Sequence, residues 1–196
     1  YPYESPDTTH FSVMDRYGNA VSNTYTLNFS YGSGIMIPGT GMLMNNEMDD
    51  FSSKPGVPNG YGLLGSEANS IEANKRPLSS MTPTIIFKED KPYLVLGSPG
   101  GSRIITTVLQ VALNVMEHGM NVAQAVNSPR IHHQWLPETL MIEKGFGPDT
   151  EKLLQEKGYR LYPSSTMGSV QAILKDGEYF YGAADPRRPG SGAVAP

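Results

Sequence analysis

The chain has 196 residues, 38% of them hydrophobic and 17% charged, which is core material for one domain or two small ones and too little charge for disorder. A net charge of −4 argues against a nucleic-acid binder working through bulk electrostatics. The absence of cysteine excludes a disulfide scaffold, a thiolate zinc site and a cysteine nucleophile, and no apolar run approaches the ~18 residues of a membrane-spanning helix.

The first seven residues, Tyr1 to Asp7, carry two prolines and read as an extended lead-in with neither an initiator Met nor a signal-peptide pattern, so the chain reads as a piece of a longer or processed product. Thr9 to Met14 reads as a strand, Asp15 to Asn19 as a hairpin loop, and Ala20 to Asn28, rich in Val, Thr and Tyr, as the returning strand. Residues 29–83 are rich in Gly, Pro, Asn and Ser and predict a long irregular segment of the kind that carries function. Strands follow at Thr84 to Phe87 and Tyr93 to Leu96, joined by a turn at Glu89-Asp90-Lys91. After Gly97 to Ser102 a helix is expected, with Ile104, Ile105, Val108, Leu109, Ala112, Val115 and Met116 on one face and Gly119 as its C-cap. Asn121 caps a second helix that ends before Pro129, and Pro148 opens a third that Gly158 stops. Val170 to Leu174 and Tyr179 to Ala183 flank Asp176-Gly177, a hairpin signal. Residues 189–196 read as a mobile tail. Hairpins around a helical middle give a mixed α+β fold with an antiparallel sheet.

Several segments could carry chemistry. Thr8 opens a strand, and as an N-terminal residue its hydroxyl would be a nucleophile with its own α-amine as base. Asn45 to Asp50 is an acidic, amide-rich loop: a solvated turn by composition, or a site for an ammonium group. Ser79-Ser80, close to Lys75-Arg76, could form a turn or grip a carboxylate. Gly97 to Arg103 lies between a buried strand and a helix N-terminus, which suits a tight turn, a phosphate site without the Walker spacing, or an oxyanion hole. His132-His133 lacks the partners of a metal site and reads as packing.

Six of these strings, in order and spanning nearly all of residues 8–187, together resemble the small catalytic subunit of the γ-glutamyltranspeptidase family, its bacterial members above all: Thr8 to Val13, Thr24 to Asn28, Asn45 to Phe51, Asn74 to Met81, Gly97 to Arg103 and Asp185 to Arg187. The resemblance implies an N-terminal-nucleophile hydrolase, a four-layer αββα sandwich of which residues 8–188 form the catalytic part. A large subunit cut from the same precursor completes it. Thr8 would be the nucleophile and Thr26 would position its hydroxyl. Asn28, Glu47 and Asp50 would hold the α-ammonium of a γ-glutamyl group. Ser79 and Ser80 would hold its α-carboxylate, helped by an arginine of the large subunit. The N–H groups of Gly100 and Gly101 would form the oxyanion hole, and Tyr61, in a lid from Pro55 to Ser66, would close over the substrate near Asn28.

The implied activity is γ-glutamyl transfer to amino acids or peptides, and hydrolysis by water, with no metal or organic cofactor. The implied location is periplasmic or secreted. Tyr1 to Asp7 would be the end of the large subunit before the cleavage point. Two alternatives are an acylase of the same scaffold with another donor, such as a cephalosporin acylase or a capsule transpeptidase, and a phosphate-binding module built on residues 97–103.

Overall fold

The computed structural model describes residues 8–195; the lead-in Tyr1 to Asp7 and the last residue, Pro196, lie outside the described residues. The fold is α+β, and its centre is an antiparallel sheet in the order β3-β4-β8-β9, made of β3 (Thr84–Lys88), β4 (Lys91–Gly97), β8 (Gln171–Asp176) and β9 (Tyr179–Ala184). One face carries α1 (Ile104–Met116) and α2 (Val122–Asn127). Leu94, Leu96, Val170, Ala172 and Leu174 pack there against Ile104, Val108, Val111, Val115, Val122 and Val126 in one buried cluster. Burying each of the Leu, Ile and Val side chains stabilises by about 1.5–3 kcal/mol before the cost of ordering the chain.

The opposite face carries the hairpin of β1 (Thr9–Met14) and β2 (Ala20–Tyr25), which packs on β4 and β8. Its patterning is inverted. The side turned to the sheet is polar: Ser12 Oγ donates to the Gln171 carbonyl (3.0 Å), Ser22 Oγ to the Leu96 carbonyl (2.9 Å), and the His10 ring lies between Thr24 Oγ1 (2.7 Å) and Ser12 Oγ (3.0 Å). Gly97 admits that ring, since a Cβ there would stand 2.2 Å from His10 Cε1. Burial holds the His10 pKa down at about 4, so the ring is neutral. The outward side is apolar: Phe11, Val13, Val21 and Tyr25 are 44–58% exposed.

A second sheet, not expected from the sequence, joins β5 (Ile131–His132), β6 (Leu140–Glu143) and β7 (Leu161–Ser164). β5 runs antiparallel to β6, but β6 and β7 are parallel, with α3 (Pro148–Glu156) crossing between them, so the chain adds a parallel pair to the antiparallel sheet that was expected. Several element boundaries move by one or more residues, and two of them bear on the site. β2 ends at Tyr25 rather than Asn28, because Asn28 adopts a left-handed conformation (φ 75°) that no strand continues. A 3-10 turn, Gly101–Arg103, precedes α1. The inward face of α1 is Ile104, Thr107, Val108, Val111, Ala112 and Val115, while Ile105, Leu109 and Met116, expected on that face, are half-exposed. The Asn121 cap is present as a full capping box with Gln124.

A buried ionic cluster fastens the C-terminal end of the central sheet to the second sheet. Arg130 Nη2 donates to Asp185 Oδ2 (2.6 Å) and to the Val126 carbonyl (2.7 Å). Arg187 donates through Nε and Nη2 to the two oxygens of Glu143 (3.0 and 2.7 Å) and through Nη1 to Asp185 Oδ1 (3.2 Å). Two cations face two anions, so the cluster is neutral, and backbone groups of Met167, Val170 and Ser128 take up further donors and acceptors.

Candidate active site

Thr8, just ahead of β1, is only 3% exposed. Its hydroxyl donates to Thr26 Oγ1 (3.1 Å), which also accepts the Asn28 backbone N–H (2.9 Å). Thr26 therefore sits between the Thr8 oxygen and the bend at Asn28, and the register Thr9↔Tyr25 of the hairpin brings the two threonines together. The left-handed turn at Asn28 aims its carbonyl at the Tyr61 hydroxyl, which donates to it at 2.6 Å, while Asn28 Nδ2 donates to the Asn46 carbonyl (3.2 Å). Asn46 Oδ1 accepts the Phe29 N–H in return (3.0 Å), clamping residues 28–29 to the acidic loop.

A cavity of about 30 Å³ is lined by Thr8, Thr26, Asn28, Glu47, Asp50, Tyr61, Ser79, Ser80, Met81, Gly101 and Ile104. Of the ten site residues expected from the sequence, Gly100 alone does not line it; Gly100 opens instead on an adjoining cavity beyond Tyr61. Glu47 and Asp50 lie in a 3-10 turn and hydrogen-bond each other. Burial, then the charge of Asp50, then that hydrogen bond push the Glu47 pKa up to about 7. Burial also raises Asp50. Near neutral pH the pair therefore shares a proton, and a cation entering the cavity would displace it. Lys75, near the two serines in sequence, pairs instead with Glu72 at 3.6 Å and is not among the lining residues.

On the other side of Thr8 the chain turns through Gly100 (φ 142°) and Gly101 (φ 56°), conformations that require glycine. Neither N–H has a hydrogen-bond acceptor among the described residues; Gly101 lines this cavity and Gly100 the adjoining one. A Cβ on Gly101 would stand 2.9 Å from Tyr61 Cδ1, so only glycine lets the ring lie against the turn. The segment Pro55 to Ser66 that carries Tyr61 is folded down by its own hydrogen bonds. Asn59 Oδ1 accepts the N–H groups of Tyr61 (3.0 Å) and Leu63 (2.9 Å), and the Gly60 N–H donates to Asp49 Oδ2 (3.2 Å). Phe29 meets the Tyr61 ring edge-on at 5.6 Å.

Sequence reasoning missed three contributors. Arg188 donates to the Thr8 carbonyl (3.1 Å) across 180 positions of chain. Asn59 frames the loop through local side-chain bonds that an Asx-turn reading would have pointed to, whereas Asn46 clamps Phe29 across 17 positions, a contact no local pattern encodes. His132 and His133 point apart: His132 is buried between Thr106 Oγ1 (2.7 Å) and Gln134 Oε1 (3.0 Å), and His133 packs on Tyr159.

Comparison with known proteins supplies the context. Residues 1–195 match the family described as gamma-glutamyltranspeptidase. The chain is 61% identical over 188 residues to a glutathione hydrolase proenzyme of Escherichia coli, covering 95% of this chain and 32% of the relative, and 44% identical to one of Bacillus subtilis, covering 94% and 30%. It thus spans about a third of the length of these curated relatives. Among solved structures, a γ-glutamyltranspeptidase of Helicobacter pylori superposes with a TM-score of 0.88 at 59% identity, covering 92% of this chain and all of that one. A cephalosporin acylase of Bacillus halodurans superposes at 0.77 with 26% identity, covering 91% of this chain and 32% of that one. Helices on a sheet backed by a second, hairpin layer are this chain's share of the N-terminal-nucleophile hydrolase sandwich. By its family match over nearly its whole length, the chain belongs to the γ-glutamyltranspeptidase family.

Proposed function

We propose that residues 8–188 are the catalytic part of an enzyme that transfers or hydrolyses γ-glutamyl groups, with glutathione and other γ-glutamyl compounds as donors. The observation that carries this reading is one small cavity in which a bonded hydroxyl pair, two neighbouring carboxylates, two serines and a glycine turn meet. Glu47 and Asp50 take the α-ammonium with Asn28, and Ser79 and Ser80 take the α-carboxylate. Thr8 Oγ1 attacks the γ-carbonyl, and the N–H groups of Gly100 and Gly101 stabilise the oxyanion. The amine leaves with a proton, and an ester remains on Thr8. Water releases glutamate, or a new amine takes the acyl group.

Acidic side chains beside the glycine turn disfavour a phosphate ligand. The cephalosporin acylase reading is disfavoured by the lower identity, 26% against 59%, and by the ammonium-matching carboxylates. The relatives' greater length, their description as proenzymes and the exposed apolar side of the β1–β2 hairpin support a second, larger subunit from the same precursor, laid over that side. A periplasmic or secreted location goes with this reading, and no described helix is long and apolar enough to cross a membrane.

While Thr8 is joined to Asp7 its nitrogen is an amide and cannot act as base, so cutting that bond precedes activity. The same hydroxyl can attack the Asp7 carbonyl, giving an ester that water cleaves. The test follows N-terminal sequence and p-nitroaniline release from γ-glutamyl-p-nitroanilide together in purified precursor. Activity should rise as Thr8 becomes N-terminal, and Thr8→Ala should stay uncut and inactive. Full activity with the Asp7–Thr8 bond intact would falsify the scheme.

A further inference from the structure

The acidic turn carries a third carboxylate, Asp49, that does not line the donor cavity. It reaches instead to the lid, where the Gly60 N–H lies within 3.2 and 3.4 Å of its two oxygens. The Asp49 carbonyl accepts from Asn59 Nδ2 (3.5 Å). A Cβ on Gly60 would stand 2.9 Å from Asp49 Oδ2 and 2.5 Å from Phe29 Cζ, so the approach requires glycine at this position. Asp49 is itself held from behind, since its N–H donates to the Asn46 carbonyl (3.1 Å).

The lid holds its own shape. The Gly56 N–H donates to the Gly65 carbonyl (3.0 Å), the Asn59 N–H to the Leu63 carbonyl (2.9 Å), and Pro58 pairs with Leu64. Between the lid and the acidic turn lies a cavity of about 160 Å³, bordered by Asp49, Ser53, Asn59 and Leu63. The lid therefore bridges a gap and is fastened near its tip. At its root stands Ser52, 7% exposed, whose Oγ lies so close to Gly65 that a Cβ there would come within 1.9 Å of it. That hydroxyl has no hydrogen-bond partner among the described residues. A buried hydroxyl without a partner carries a desolvation cost that hydration relieves, so Ser52 opposes the closed position that Asp49 favours.

We propose that Asp49 is a positioning residue that holds the lid shut through Gly60, that Ser52 works against it, and that this balance sets how often Tyr61 withdraws from the donor cavity. Tyr61 follows Gly60 in the chain and forms a wall of that cavity, with its hydroxyl on the Asn28 carbonyl at 2.6 Å. The two neighbouring aspartates thus divide the work: Asp50 faces the ligand, and Asp49 faces the lid. Because the same bonds close the lid over an empty or an occupied cavity, Asp49 governs the rates at which γ-glutamyl ligands enter and leave, and leaves their affinity in place. The inference rests on the γ-glutamyl reading of the cavity.

The test uses the matured two-subunit enzyme and reads the lid in two ways. One is the rate of chymotryptic nicking after Tyr61, which follows the open population. The other is the dissociation rate of L-glutamate, the hydrolysis product, measured by NMR beside its Kd. Asp49→Ala should raise both rates about fivefold, the effect of losing one hydrogen bond, with Kd held within about twofold. Asp49→Asn removes the charge beside Asp50 but keeps an acceptor for the Gly60 N–H, so both rates should stay near native. Ser52→Ala should lower both rates, because it removes the group that the closed lid leaves unmet. Unchanged nicking in Asp49→Ala, unchanged or faster nicking in Ser52→Ala, or a Kd that weakens in step with dissociation would overturn the inference. A native enzyme that does not bind L-glutamate would instead strike the γ-glutamyl reading, and the nicking rates would still decide whether Asp49 holds the lid.

Discussion

Replacing Glu47 by glutamine should make the fold more stable above neutral pH. In the native fold Glu47 binds its proton up to about pH 7, whereas the unfolded chain releases it near 4.5. Between those values the native state holds the extra proton, so stability falls as pH rises. At about 1.36 kcal/mol per pH unit the full loss would be about 3.4 kcal/mol. Glu47 is only partly buried and solvent screens it, which brings the expected figure to roughly 1–2 kcal/mol. His10 works the other way. The unfolded chain is protonated below 6.5 and the native ring only below about 4, so this residue adds stability as pH rises from 4 to 6.5. Between pH 4.5 and 6.5 the two slopes oppose each other, and the unaltered chain should show a shallow profile there. In Glu47→Gln the opposing slope is gone: stability should climb more steeply to pH 6.5, and by pH 8 the variant should be about 1–2 kcal/mol more stable, with near equality at pH 4.5. Urea unfolding at half-unit steps from pH 4.5 to 8 reads both limbs. Parallel profiles for the two proteins would refute the argument, because they would show that Glu47 ionises alike in the native and unfolded states.

Three further outcomes are expected. If Asp50 pairs with the donor's α-ammonium as proposed, Asp50→Ala removes one partner of a partly desolvated charge pair worth roughly 2–5 kcal/mol and should weaken donor use by at least tenfold and narrow the preference for donors with a free α-amine over N-acetylated ones; an unchanged preference in γ-glutamyl assays would overturn that pairing. Phe11→Glu changes a side chain that is 44% exposed, so the chain's own unfolding midpoint should shift by no more than about 0.5 kcal/mol while co-purification with the proposed larger subunit is lost. Asp185→Ala leaves Arg130 buried without its partner at 2.6 Å and should cost roughly 3–5 kcal/mol of stability, measured by denaturant midpoint; a loss below 1 kcal/mol would mean that water replaces the carboxylate.

Local rules made part of this molecule readable in advance. Alternating Val, Thr and Tyr marked the first hairpin, Asp176-Gly177 marked the last, and a glycine-broken strand before an apolar helix marked the turn at Gly100. The inward face of α1 was harder, because Ile105, Leu109 and Met116 continue the apolar pattern around to a side that the described chain leaves open. A helix that is apolar on two sides gives no single stripe to read. The second sheet was illegible for another reason: its strands are two to four residues long, one contains Pro163, and its parallel pair depends on a contact across α3. At the site, residue types indicated an acidic loop, a hydroxyl pair and a glycine turn, but their convergence came from the family resemblance. The cluster of Arg130, Glu143, Asp185 and Arg187 joins charges up to 55 positions apart, and no periodicity encodes such pairs.

The hydrogen bond from Arg188 to the Thr8 carbonyl ties the order of synthesis to the order of assembly. A ribosome adding about 5–20 residues per second needs roughly 10–40 s to travel from the first of these residues to the second. Through that interval the hairpin that opens the described chain can form, since its register is local, but it has no β4 or β8 beneath it and no arginine at its first carbonyl. The surroundings of Thr8 therefore come together last. A chain truncated before residue 185 would also lack the anion that holds Arg130, leaving the central sheet and the hairpin unfastened at the same end. Large non-local closure of this kind slows folding, and it keeps Thr8 from being set in its final geometry on an unfinished polypeptide.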